Sequence, residues 1–184
     1  MQKEKIILGI DPGTNIMGFG IIKATNSKVS LLDVGVLNMK KEKDLGVRLK
    51  MIFDEMIRLI DTYLPDELAI EAQFFGQNVQ SMLKLGKAQG VAIAAALSRS
   101  IPFEEYAPKK IKMSITGKGT SSKEQVSAML IHILKIKTLP ESLDASDGLA
   151  AAVCHHFQSN SSIGSKKYSG WDSFLKNNPG KIKG

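Results

Sequence analysis

Four acidic residues stand where an apolar segment ends or is interrupted: Asp11, Glu71, Asp144 and Asp147. Asp11 closes the run IILGI, and Glu71 closes ELAI. Asp144 and Asp147 lie three apart in DASDGLAAAV, so they share one face of a helix. Like charges at that spacing weaken a helix, and a charge ending a core strand resists burial. Singly, each acid reads as a turn residue, a surface acid or an acid favoured by a helix N-terminus. Together they describe carboxylates gathered at the rim of one core. Such a cluster repels itself and needs a cation. Hard oxygen donors, with no thiolate and little histidine, favour Mg²⁺ or Mn²⁺ over zinc. Two such ions about 3.5–4 Å apart form the usual clamp for in-line displacement at a phosphodiester.

The elements that must bring these acids together are legible in the apolar pattern. Residues 5–10 read as a buried strand. Gly18 to Thr25 and Lys28 to Leu37 read as two more, joined at Asn26–Ser27, so the first three strands form an antiparallel meander. Asp44 to Leu64 repeats apolar residues at helical spacing and stops at Pro65. Glu67 to Glu71 is a short strand, Asn78 to Arg99 a helix, and Pro102 to Tyr106 another strand. Pro108 to Ile115 and Ser122 to Ile136 are helical, with Ser121 and Glu124 fitting a capping box. The last helix starts near Ser142 and runs through DASDGLAAAVCHH. Gly86 and Gly90 share a helix face, which predicts a second backbone packed close there. The expected fold class is α/β: a mixed five-stranded sheet, its first three strands antiparallel, flanked by helices. Strand C-termini in such sheets open onto the binding crevice.

The chain has 184 residues, 43% hydrophobic and 23% charged, which fits one globular domain with a tail. Net charge is +7, and residues 157–184 hold five lysines against one aspartate, which leaves +3 for the body. That balance suits an anionic partner, a nucleic acid or an acidic surface. One cysteine, Cys154, excludes an internal disulfide, and the start MQKEKIILGIDPG lacks the apolar core of a signal peptide. A reducing cytoplasm is the expected location. After His156 the composition turns polar and glycine-rich, giving an expected division into a body, 1–157, and a basic tail, 158–184.

ILGIDPGTNIMGFGII, IEAQFFGQNVQSMLKLGKAQGVAIAAA, EYAPKKIKMSITGKGTSSKEQV and DASDGLAAAVCHH, in this order, resemble the RuvC family of crossover (Holliday) junction endodeoxyribonucleases. The resemblance spans about residues 5–157 and implies an RNase H-like fold. It implies that Asp11, Glu71, Asp144 and Asp147 are catalytic and hold Mg²⁺, two ions per subunit, with Mn²⁺ as a substitute. It further implies a homodimer with two active sites, paired symmetric nicks in a four-way junction, and 5′-phosphate and 3′-hydroxyl products. RuvA and RuvB proteins would be the branch-migration partners.

Tyr106 to Lys123 holds five lysines and no acid: Lys109, Lys110, Lys112, Lys118 and Lys123. All are candidates to track phosphates. By resemblance, Lys112 and Lys123 match basic positions near the family's active site, and Phe74 matches an aromatic that stacks on an unpaired base. In AQFFGQN, one of Phe74 and Phe75 is expected to stack and the other to anchor in the core. His155, eleven residues past Asp144, falls on nearly the same helical face; a C-terminal helix cap is its preferred role over the metal site. Cys154 is expected in the core. Tyr168, Trp171 and Phe174 recur at threes in the tail.

Three alternatives remain at this level. An actin-like or sugar-kinase ATPase shares a first strand ending in Asp-x-Gly-Thr, but needs two such domains. A non-catalytic DNA-binding protein would use the lysines and ignore the acids. A related nuclease would act on RNA–DNA hybrids.

Overall fold

The computed structural model describes residues 4–25, 28–73, 78–140 and 143–161. Asn26–Ser27, Phe74, Phe75, Ser142 and the aromatics of the tail therefore lie outside the described residues. Strands β1 (Lys5–Asp11), β2 (Ile16–Ala24) and β3 (Val29–Asn38) form the antiparallel meander. Helix α1 (Leu45–Tyr63) follows, then β4 (Glu67–Glu71), α2 (Val79–Ser98) and β5 (Phe103–Tyr106). Helices α3 (Pro108–Thr116), α4 (Lys123–Leu134) and α5 (Leu143–Ser161) complete the described chain. The sheet order is β3-β2-β1-β4-β5, with β4 parallel to both β1 and β5.

Two apolar layers sandwich this mixed sheet. Leu8, Ile10, Phe19, Ile21, Leu68 and Ile70 pack under α1 and α2. The alternate positions Ile7, Ile22, Ala69 and Tyr106 face α3, α4 and α5. Strand alternation therefore sends Asp11 and Glu71, one step beyond Ile10 and Ile70, to the α5 side.

Helix α5 lies on β1 and β2 with little between the backbones. A Cβ on Gly18 would meet the Asp144 carbonyl oxygen at 1.9 Å, and one on Gly20 would meet Leu149 Cα at 2.4 Å. Only glycine permits this seating, and Gly148 on the helix completes it: its own Cβ would lie 2.7 Å from Phe19 Cα.

Local expectations needed three corrections. The capping box falls one residue later: the Ser122 hydroxyl accepts from Gln125 N–H, and the Gln125 side chain accepts from Ser122 N–H. Ser121 is instead buried, its hydroxyl 2.7 Å from Thr116 Oγ1. No atom lies within 4 Å of a Cβ built on Gly86 or Gly90, so no second backbone of the described residues packs there. Finally, α5 runs on to Ser161, past the helix end expected at His156. Polar composition after His156 does not end a helix that has no breaker before Gly164.

Candidate active site

Ile10 pairs with Ile70 across the parallel ladder, so Asp11 and Glu71 leave neighbouring strands side by side. Such strands lie about 4.8 Å apart. Asp147 descends from α5 onto the same spot. Asp11, Glu71 and Asp147 line one pocket with Lys112, Ile111 and Pro108 of α3, and Lys123 and Val126 of α4. Asp144 stands at its edge, 3.4 Å from Lys123 Nζ, and Lys123 also pairs with Asp147. The four acids and two of the five lysines singled out in the sequence thus meet at one place.

The electrostatics are those of crowded, half-buried carboxylates. Burial, then the charges of Glu71, Asp147 and Asp144, push Asp11 from the usual 3.8 to about 8, against the pull of Lys123. Burial and Asp147 push Glu71 to about 7, opposed by Lys123 and Lys112. Asp147 is raised as well: burial and Asp144 outweigh its ion pair with Lys123. Burial would depress Lys123, but Asp147 and Asp144 raise it. Every perturbation points the same way, to a place short of positive charge.

A divalent cation fits this donor set. All its donors are hard carboxylate oxygens, and Lys123 already stands in as a cation between Asp144 and Asp147. No three His, Cys, Asp or Glu side chains among the described residues converge at ligand spacing.

The other candidates divide. Lys109 and Lys118 are exposed. Lys110 turns away from the carboxylates and lies over the Tyr106 ring, 5.2 Å from its centroid. Phe74 lies outside the described residues. Cys154 is buried in the core, as expected. His155 neither leans towards the acids nor caps a helix end. It is buried mid-helix, with ring nitrogens 2.8 Å from the Tyr106 hydroxyl and 2.8 Å from Glu67. Equal phase on a helix does not mean proximity, because eleven residues advance the axis by about 16 Å.

Two contributors escaped the sequence reading. One is the glycine seat beneath α5; the glycines of IMGFGII were its visible trace. The other is Arg48 of α1, which donates to the Thr14 carbonyl at 3.0 Å, the Asn15 side chain at 2.6 Å and the Glu42 carbonyl. It holds the turn that follows Asp11. Nothing in its helical context marked it.

A family profile described as "Crossover junction endodeoxyribonuclease RuvC" matches residues 7–155. The chain belongs to the RuvC family. A RuvC of Christiangramia forsetii is 61% identical over 183 residues, covering 100% of this chain and 95% of that protein. A RuvC of Cytophaga hutchinsonii is 54% identical over 98% of this chain and 89% of its own length. The solved structure "T. thermophilus RuvC in complex with Holliday junction substrate" superposes with a TM-score of 0.80 at 28% identity, covering 86% of this chain and 96% of that one. The sheet is the RNase H-like sheet of RuvC, with β1 central, β2 antiparallel to it and β3 antiparallel to β2. The ATPase and non-catalytic alternatives find no support in these likenesses.

Proposed function

We propose that the protein is a Holliday junction resolvase, a nuclease that nicks two like strands of a four-way DNA junction during recombination and repair. The observation that carries this is the pocket itself: Asp11, Glu71 and Asp147 converge there beside Lys112 and Lys123, in a chain of the RuvC family.

RuvC nucleases depend on metal, and here Asp11, Glu71, Asp144 and Asp147 would hold it, as two Mg²⁺ per subunit, with Mn²⁺ able to substitute. Bound cations supply the charge that acidifies an attacking water and offsets the leaving oxygen. The chain's own groups do the rest. Lys112, which already offsets charge on Glu71 and Asp147, faces the phosphate oxygens. Lys123 exchanges its carboxylate partners for the phosphate as DNA arrives. Products carry 5′-phosphate and 3′-hydroxyl ends.

Exposed Lys109 and Lys118 track the DNA backbone; Phe74, three residues after Glu71 in the sequence, stacks on an unpaired base. A homodimer places two such pockets on the two like strands. We assign the contact between copies to the open face of α2, where Leu83 and Leu97 are exposed on either side of Gly86 and Gly90. RuvA and RuvB proteins are the branch-migration partners, and the basic segment from residue 162 serves as a tail in a cytoplasmic protein. No helix of the described residues is long and apolar enough to cross a membrane.

The test is a labelled immobile junction incubated with the protein in Mg²⁺ or in chelator. Paired, symmetric nicks should form in Mg²⁺ alone. Asp11→Asn should bind the junction and not cut it; nicking by that variant at the wild-type rate would refute the assignment.

A further inference from the structure

A polar chain runs from the start of β1 and β4 to Tyr106, which lies beside Glu71 in the β4–β5 ladder. Lys5 donates to Glu67 Oε1. Glu67 Oε2 lies 2.8 Å from His155 Nε2, and His155 Nδ1 lies 2.8 Å from the Tyr106 hydroxyl. The two rings meet edge to face, with centroids 5.7 Å apart. His155 and Tyr106 are each only 6% exposed.

The partners fix the direction of each bond. Burial would raise Glu67, but Lys5 and His155 hold it below the usual carboxylate range, so it is an acceptor. With a neutral imidazole, Nε2–H therefore donates to Glu67, and Nδ1 accepts from the Tyr106 hydroxyl. Burial pushes that hydroxyl up to about 12, so it keeps its proton.

The four groups sit on β1, β4, α5 and β5. These elements also carry Asp11, Glu71 and the Asp144/Asp147 pair, and β5 leads through Ala107 into α3 with Lys112. The seat of α5 explains why a polar tether matters. Side chains normally interlock ridge into groove and set a helix's roll. Here Gly9, Gly18 and Gly20 face Gly148, Leu149 and Ala152, and the helix surface is rich in buried alanine. Such a smooth track fixes distance well and rotation poorly. Hydrogen bonds are directional, and two of them leave one imidazole for two different strands. His155 lies about 12 Å along α5 from Asp147, on one continuous helix, so a roll at one end reaches the other.

We propose that the Glu67–His155–Tyr106 chain is a positioning device: it sets the roll of α5 and the β5–α3 junction, and with them the approach of Asp147 and Lys112 to Asp11 and Glu71. This rests on the reading of the carboxylate pocket as the nuclease site. No member of the chain touches the substrate.

The test removes one hydroxyl. Tyr106→Phe keeps the ring that fills the core, and Tyr63→Phe serves as control, losing a comparable 2.8 Å bond to Asp33 between α1 and β3. Each purified full-length variant is melted in chelator and across a Mg²⁺ titration, then assayed for junction binding in chelator and for single-turnover cleavage. Tyr106→Phe should raise the Mg²⁺ midpoint of thermal stabilisation and slow cleavage, each about tenfold or more, with junction binding kept within about twofold. Tyr63→Phe should leave midpoint and rate unchanged. His155→Gln, which preserves a donor towards Glu67 but not the Tyr106 bond, should resemble Tyr106→Phe; if it fails to fold, Tyr106→Phe decides. A wild-type midpoint and rate in Tyr106→Phe would overturn the proposal. So would losses equal to those of Tyr63→Phe at matched melting temperature. A wild-type protein whose melting ignores Mg²⁺ would count against the carboxylate site itself, and the inference would fall with it.

Discussion

Replacing Asp11 by Asn should make the metal-free protein more stable while it destroys the nuclease. Burial and three neighbouring acids raise the Asp11 carboxyl from 3.8 to about 8. Each unit corresponds to about 1.4 kcal/mol, so folding at pH 7 must take up a proton at Asp11 at a cost on the order of 4 kcal/mol. Asparagine is neutral at any pH and nearly the same size, so it escapes that cost, though it leaves one amide incompletely bonded. A net gain of about 2 kcal/mol is expected, which for a body of this size shifts Tm by about 4–8 °C. The sign with pH is fixed. A raised folded-state pKa contributes stability below the unfolded value and loses it as pH climbs towards the folded one. The variant should therefore be the less stable protein near pH 4, overtake wild type between about pH 5 and 6, and reach its full advantage near pH 8. Glu71, raised to about 7, adds to the wild-type decline over the same range. Saturating Mg²⁺ should shrink or reverse the gap, because binding to the folded state stabilises only the chain that retains its ligands. Calorimetry or fluorescence melts at pH 4, 6 and 8, in chelator and in Mg²⁺, measure all of this. A gap independent of pH, or a less stable Asp11→Asn protein at pH 8 in chelator, would refute the electrostatic account of the pocket.

Gly18→Ala would place a methyl 1.9 Å from the Asp144 carbonyl oxygen, so α5 must lift; a loss of about 1–3 kcal/mol in melts is expected, with cleavage falling further than junction binding. Lys123→Met removes the cation shared by Asp144 and Asp147; single-turnover cleavage should drop about 100-fold or more, and stability in chelator should decline more steeply between pH 5 and 8 than in wild type. Arg48→Met frees the turn after Asp11 from two bonds, to Thr14 and Asn15, and from its tie to Glu42; cleavage should slow with junction affinity kept, which a binding and rate comparison resolves. Junction affinity should weaken steeply with added salt, since phosphate contacts release counterions; a flat response in a titration from 50 to about 200 mM salt would discredit Lys109, Lys112, Lys118 and Lys123 as phosphate contacts.

The strands and helices were readable because their signals are local. Alternation and apolar runs placed β1 and β4 to within a residue, and Pro65 and Pro108 marked real boundaries. The acids were readable because a charge closing a buried strand is itself anomalous. What the sequence withheld was mostly relational. Gly18, Gly20 and Gly148 look like ordinary turn or helix-weakening residues until α5 is laid across them. His155 shares a helical phase with Asp144, and only the length of the axis between them sends it to the other end of the sheet. The capping box was misplaced by one residue because Ser121 and Ser122 offer the same hydroxyl, and tertiary burial of Ser121 decided between them.

The order of the elements along the chain also bears on synthesis. Helix α5 supplies two of the acids and is the last described element, yet it docks on β1 and β2, the first two. A nascent chain still lacking residues 143–161 has no Asp144 or Asp147, and lacks the helix that covers Ile7, Ile22 and Ala69. With Asp144 and Asp147 as metal ligands, as proposed above, a polypeptide that stops before residue 143 should bind no metal at the pocket and cut no junction.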